Sequence, residues 1–162
     1  MDDFEDWFRR DYARVVRTLS ALCGSLADAE DAAGEAFARA FERWRRVGAM
    51  SNPTGWTIRV GANHLKRQAK RRARSPVAAV EIAGISTAVT SPQVDHELWA
   101  RVQALPPRQK EAVVYRYIAD LQENEIATIM GIAPGTVAAT LHAARRQLSQ
   151  SITPKEHADE RP

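Results

Sequence analysis

The stretch ENEIATIMGIAPGTVAATLH, residues Glu123 to His142, carries the strongest fold signal in the chain. Ala127, Gly131 and Val137 stand at offsets of four and ten within it. A helix-turn-helix needs a small residue where its two helices touch. Four residues later it needs one that tolerates left-handed backbone, which glycine does without a Cβ clash. The second helix must then return a branched apolar side chain onto the first. Ile126, Met130, Ile132 and Leu141 fill the remaining inward positions. In this motif the second helix enters the DNA major groove. A plainer reading of the same spacing is two packed helices joined by a glycine turn.

Working outward, Pro134 to Gln150 reads as the second helix of the motif and Glu123 to Met130 as the first. Before them, Arg108 to Leu121 is helical, with Val113, Val114, Tyr117, Ile118 and Leu121 apolar. Pro106-Pro107 separates it from a short helix, Glu97 to Ala104, with Leu98, Val102 and Leu105 inward. Ser75 to Val94 is small, uncharged except for Glu81, and shows no helical period, so residues 75–96 read as a flexible linker. A polar tail, 153–162, reads as disordered.

The first half is helical too. Phe4, Phe8, Tyr12, Val15, Leu19 and Leu22 recur at three- and four-residue steps, and Gly24 ends that helix. Ser25 with Asp28 resembles a capping box that opens a second helix. Leu26, Ala29, Ala33, Ala36, Phe37, Ala40, Phe41 and Trp44 form its predicted buried stripe, up to a break at Gly48. Asn52-Pro53 is a cap followed by a first-turn proline. The third helix runs from there into a basic stretch and buries Trp56, Val60 and Ile58 or Leu65. The expectation is an all-α chain of two small helical domains, 1–74 and 97–152, the second containing the helix-turn-helix.

Composition narrows the function. The 162 residues carry 23 Lys+Arg against 20 Asp+Glu, so the net charge of +3 says less than its distribution. Residues 1–35 hold nine acids against four arginines, whereas residues 59–74 hold seven cations and no acid. One cysteine, Cys23, excludes an internal disulfide, and it reads as a small buried hydrophobe. Four scattered histidines offer no metal-ligand spacing. Glu30, Asp31 and Glu35 could serve as nuclease metal ligands, but no histidine joins them. The expectation is therefore no metal, no cofactor and no catalytic residue. No stretch approaches the roughly 18 apolar residues of a membrane span. The acidic N-terminus is unlike a secretory signal, which points to the cytoplasm.

The ordered motifs resemble one family. Asp28-Ala-Glu-Asp-Ala-Ala-Gly-Glu-Ala-Phe37 resembles the D-A-E-D-L-V-Q-E-A-F signature of extracytoplasmic-function (ECF) sigma factors. Trp56-Thr-Ile-Arg-Val-Gly-Ala-Asn63 resembles W-L-x-R-I-A-x-N, and Leu105-Pro-Pro-Arg-Gln-Lys-Glu-Ala-Val113 resembles L-P-P-R-Q-R-E-V-L. Glu125 to Gly131 and Gly135-Thr-Val137 resemble the two helices of the family's helix-turn-helix. The resemblance implies sigma regions 2 and 4 with no region 3 between them. It implies a non-enzymatic factor that binds core RNA polymerase, recognises promoter DNA and helps open the duplex.

Roles follow residue by residue as expectations. Asp28, Asp31, Glu35 and Arg39 are the candidate core polymerase-binding face. The last three share one helical stripe. Arg59, Asn63, Lys66, Arg67 and Lys70 are the candidate −10 reader, with Asn63 the best base contact. The loop Val47–Asn52 corresponds to one that holds a flipped-out base in the family. Trp44 and Trp56 stand on apolar stripes, which favours core packing over base stacking. Thr136, Ala139, Thr140, His142, Arg145 and Arg146 are the candidate −35 contacts. An anti-sigma protein that clamps the two domains is an expected partner, because the chain shows little of its own to mask its basic surface. The rival readings are a helix-turn-helix regulator of duplex DNA and a degenerate sigma-like interaction module.

The last helix departs from the family's G-T-V-K-S-R-L-H-R-A-R: Ala138, Thr140 and Ala143 stand where Lys, Arg and Arg are common. Each lost phosphate contact removes about 0.9 from the log–log salt slope of binding. Ala138→Lys with Thr140→Arg and Ala143→Arg is expected to strengthen binding to upstream duplex DNA and steepen its salt dependence. In the unmodified chain, scrambling the −35 sequence is expected to cost run-off transcription less than scrambling the −10 sequence. The opposite ranking would show that the last helix reads DNA strongly without those cations.

Overall fold

The computed structural model describes residues 2–74 and 95–150, and all their regular structure is helical. The first half comprises α1 (Asp2–Cys23), α2 (Leu26–Glu42), α3 (Trp44–Val47) and α4 (Pro53–Ala73). The second comprises α5 (His96–Gln103), α6 (Pro107–Tyr117), α7 (Glu123–Met130) and α8 (Pro134–Gln150). The region read as a linker lies outside the described residues up to Val94, and Asp95 already caps α5. The tail 153–162 lies outside them too.

α1, α2 and α4 pack around Leu19, Val15, Phe37 and Ile58. α2 contributes mostly methyl groups: Ala29, Ala32, Ala33, Ala36 and Ala40 are all fully buried. Small side chains let neighbouring helices approach to the short end of the usual 8–10 Å. Gly61 of α4 serves the same end. A Cβ there would lie 2.7 Å from Leu19 Cδ1. Ser25 Oγ accepts from Asp28 N–H, the N-cap half of the expected capping box, while the Asp28 carboxylate bonds Arg72; Asn52 Oδ1 accepts from Gly55 N–H at 2.8 Å. Trp7 crosses from α1 to α4, where its indole N–H donates to Thr54 Oγ1 at 3.0 Å.

In the second half α6, α7 and α8 enclose Tyr115, Leu121, Ile126, Val137 and Leu141. Gly131 takes the left-handed conformation, φ +66°, and the carbonyl of Ala127 accepts from both Gly131 and Ile132 N–H. The chain bends by 100° between α7 and α8, within the helix-turn-helix range.

Several expectations are corrected at helix ends. Leu26, Phe41, Leu98 and Tyr117 are exposed rather than inward. Leu26 is the first residue of α2. Phe41 closes α2 with its ring edge-on to Phe4 and its other face outward. Trp99 takes the interior place expected of Leu98, and on α6 the apolar Tyr117 lies outward while Tyr115 is buried. The second helix stops at Glu42, and Trp44 starts a separate turn, α3, that carries it back against Trp7. α6 ends at Tyr117 rather than Leu121. Trp56 and Val60 are half-buried, while Ile58 is fully buried. Cys23 is exposed, because α1 ends there and its thiol turns to the Ser25 carbonyl.

The halves also touch, so the basic surface is partly covered from within. Arg14 of α1 donates through Nε to the Ala119 carbonyl at 2.9 Å, and Gln103 reaches the Ala21 carbonyl at 3.4 Å. The buried apolar residues of both halves form one continuous cluster.

Gly61→Ala tests the close approach. Leu19 is fully buried and cannot swing away, so the added methyl is expected to cost about 1–3 kcal/mol in urea unfolding. Unchanged stability would mean that α4 can shift away from α1 freely.

Candidate nucleic-acid and polymerase interface

The acids of α2 divide by partner. Asp28 accepts two hydrogen bonds from Arg72 of α4, at 2.9 and 2.8 Å. That hydrogen bonding holds its carboxyl below the usual carboxylate range, against a smaller opposing effect of partial burial. One turn on, Asp31 Oδ2 accepts from Gln68 Nε2 at 3.0 Å and lies 3.2 Å from His64 Nε2. Its side chain is still 65% exposed. Glu35 pairs along its own helix with Arg39 at 2.8 Å, both side chains 41% exposed. The stripe expected to face a partner is therefore partly used internally. Asp28 ties α2 to α4, Asp31 does so while staying accessible, and Glu35 with Arg39 forms an outward pair.

On α4, Arg59, Asn63, Arg67 and Lys70 are exposed at steps of four, four and three residues. They lie on one face and engage no other described residue. Lys66 shares that face by spacing and is exposed, but it is paired. Its ammonium lies 3.0 Å from Glu111 Oε1 of α6. Tyr115 donates its hydroxyl to the same oxygen at 3.3 Å. Burial first, then the adjacent Glu111 charge, pushes the Tyr115 phenol above its ordinary range.

The turn before α4 is engaged twice. Asn52 caps α4 through its oxygen and donates its amide N–H to Glu125 Oε1 at the start of α7. The other oxygen of Glu125 accepts from Gln122 N–H at 2.7 Å, completing a capping box on α7. One carboxylate thus joins the N-termini of α4 and α7. No spacing rule in the sequence marked the contacts of Glu111 with Lys66, Glu125 with Asn52 or Arg14 with Ala119, since those partners are distant along the chain.

On α8, Thr136, Ala139, His142, Arg145 and Arg146 are exposed. Thr140 is half-buried and spends its hydroxyl on the Thr136 carbonyl at 2.7 Å. Ala138 and Ala143 are half-buried beside them. No group of three His, Cys, Asp or Glu side chains is placed to hold a metal ion among the described residues. No single helix among them is long and apolar enough to cross a membrane.

An acidic helix edge beside a basic helix, followed by a helix-turn-helix, coincides with two family models. Residues 7–75 match Sigma-70 region 2, and residues 95–148 match Sigma-70, region 4. The chain is 31% identical over 150 residues to the ECF RNA polymerase sigma factor SigL of Mycobacterium tuberculosis, covering 88% of this chain and 85% of that one. The chain belongs to the ECF sigma factors. It is also 31% identical over 159 residues to the ECF sigma factor SigE of Mycolicibacterium smegmatis, spanning 61% of that protein's length. The fold matches the sigma factor RpoE of Bartonella quintana, solved with the anti-sigma factor NepR. That match has a TM-score of 0.79 at 20% identity and covers 93% of this chain and 96% of that one. As an ECF sigma factor, the chain serves core RNA polymerase in promoter recognition and transcription initiation. The region 2 match sets aside the reading of a regulator that acts on duplex DNA alone.

The Asp28–Arg72 bridge yields a pH prediction. The folded pKa of Asp28 is lowered, so its contribution is present above the unfolded value near 3.9 and is lost as pH falls through the folded value. Asp28→Asn is expected to destabilise the sigma factor modestly at neutral pH, within the 0–1 kcal/mol typical of exposed pairs. The difference from the parent should close as pH falls below about 4. A constant difference across that range in urea unfolding would remove the bridge as the cause.

Proposed function

We propose that this sigma factor docks on core polymerase through the accessible side of α2, with Asp31, Glu35 and Arg39 in the contact. Asp28 supports that edge from behind through Arg72. The exposed face of α4 reads the −10 element: Arg59, Arg67 and Lys70 meet phosphates and Asn63 meets a base edge. The exposed side of α8, with Thr136, Ala139, His142, Arg145 and Arg146, lies against the −35 duplex. The unpaired face of α4 is the observation that carries this reading. Four polar side chains held on one stripe without partners among the described residues suit a polyanion.

The contact between the halves adds a step. The −10 and −35 elements lie some 25 base pairs apart by name, roughly 85 Å at 3.4 Å per pair. Lys66 and Glu111 are 3.0 Å apart, so the arrangement described here does not span both elements. Region 4 must swing away from region 2 on the promoter, and the 20 residues of 75–94 can extend to roughly 70 Å. The contact suits such release. An open cleft of about 350 Å³ remains between α4 and α6 beside Leu65, Lys66, Ala69 and Lys110. An anti-sigma protein that holds the halves together would act on this closed form in the cytoplasm. The solved relative bound to an anti-sigma factor supports that partner class.

The test pairs two assays on the full chain. Reversing Asp31 and Glu35 is expected to weaken binding to core polymerase at least tenfold while circular dichroism stays near the parent's. Asn63→Ala with Arg67→Ala is expected to spare core binding and abolish most run-off transcription. Unaltered core affinity after the first change would remove the α2 assignment. Full transcription after the second would remove the α4 assignment.

A further inference from the structure

α8 is poor in cations, and one of its two arginines is restrained. Between Pro134 and Ala144 the helix has no Lys or Arg, so Arg145 and Arg146 carry all its positive charge. Arg145 Nε donates to the Tyr117 hydroxyl at 2.8 Å, and its guanidinium carbon lies 5.8 Å from the Tyr117 ring centre. Tyr117 ends α6 and is 58% exposed although its ring is largely apolar. Packing does not explain a phenol in that place, because the neighbouring Tyr115 fills the interior.

We infer that Tyr117 is a positioning residue that presents Arg145 to a DNA phosphate at the margin of the −35 site. This rests on the proposed role of α8 in duplex binding and deepens it. By helical spacing Arg145 lies between the buried line of Val137, Leu141 and Ala144 and the outer line of Ala139, His142 and Arg146. A side chain at that edge meets the backbone flanking the groove rather than the bases on its floor. The phenol engages only Nε–H. The two terminal nitrogens keep four N–H donors in the planar fork that matches phosphate oxygens. The ring and the hydroxyl together fix a side chain that otherwise loses much rotamer freedom on binding. One arginine held ready offsets, in part, the cations missing at Ala138, Thr140 and Ala143. The phosphate contact carries no sequence information, so it sets grip and register, not promoter choice.

A double-mutant cycle on the full chain tests this. Binding to a short mixed-sequence DNA duplex is followed by fluorescence anisotropy over a range of salt. Arg145→Ala is expected to weaken binding and flatten the log–log salt slope by about 0.9, one phosphate's share. Tyr117→Phe keeps the ring and removes only the acceptor. It is expected to weaken binding several-fold beside Arg145 and to have no effect beside Ala at that position. A merely structural role would give equal losses in both backgrounds and overturn the inference. No loss from Tyr117→Phe with Arg145 present would overturn it as well. If Arg145→Ala changes neither affinity nor slope, or the parent shows no salt-dependent binding, the DNA role of Arg145 itself fails, and the inference with it.

Discussion

Close approach among α1, α2 and α4 is the constraint on which the site depends. It is made by methyl groups and one missing side chain: five fully buried alanines on α2, and Gly61 against Leu19. A helix lined with Leu or Phe would stand farther from its neighbours. At short separation the polar side chains at the edges of the contact come within hydrogen-bonding range. Arg72 then reaches Asp28, and Gln68 reaches Asp31. The acidic edge of α2 and the basic helix α4 are thus fixed side by side by the apolar packing beneath them. The ion pairs add orientation more than stability, as exposed pairs generally do.

Legibility followed the range of the interaction. The helix-turn-helix was read to its boundaries because its signals are local: a left-handed Gly131, the proline at Pro134, and the spacing of Ala127 and Val137. The caps at Ser25 and Asn52 were readable for the same reason. Periodicity located the middle of each buried stripe but not its ends. Leu26, Phe41, Leu98 and Tyr117 fit the stripes and still lie at the surface. Trp7 was missed because its burial depends on Thr54 and Trp44, far along the chain. At the candidate site the sequence made the exposed helix faces legible but not the contacts that its side chains make within the fold. Spacing placed Lys66 with Arg67 and Lys70, whereas Glu111, 45 residues away, decides where Lys66 points.

Partnership sorts the cations into two groups. Arg14, Lys66 and Arg72 are engaged by Ala119, Glu111 and Asp28, and these contacts hold helices or halves together. Arg59, Arg67 and Lys70 are exposed on α4. A cation already paired contributes less to phosphate binding, because its partner must first be displaced. A count of basic residues along α4 therefore overstates the positive charge it leaves uncommitted. Glu111 occupies the ammonium of Lys66, and Glu125 occupies the amide of Asn52 in the turn before α4.

The two carboxylates do not act alike when the halves part. Lys66 and Glu111 separate into two exposed ions that water solvates well, so breaking that pair costs little. Glu125 keeps its bond to Gln122 N–H and goes on capping α7, which leaves the helix-turn-helix intact as it departs. Asn52 likewise keeps Gly55 N–H and goes on capping α4. Each half thus retains the hydrogen bonds that end its own helices, and only the bonds shared between halves are surrendered. Arg14 gives up the Ala119 carbonyl yet keeps Asp11 nearby, at 3.7 Å on its own helix. A contact built in this way can open without unfolding either side, as the proposed release of region 4 on promoter DNA requires.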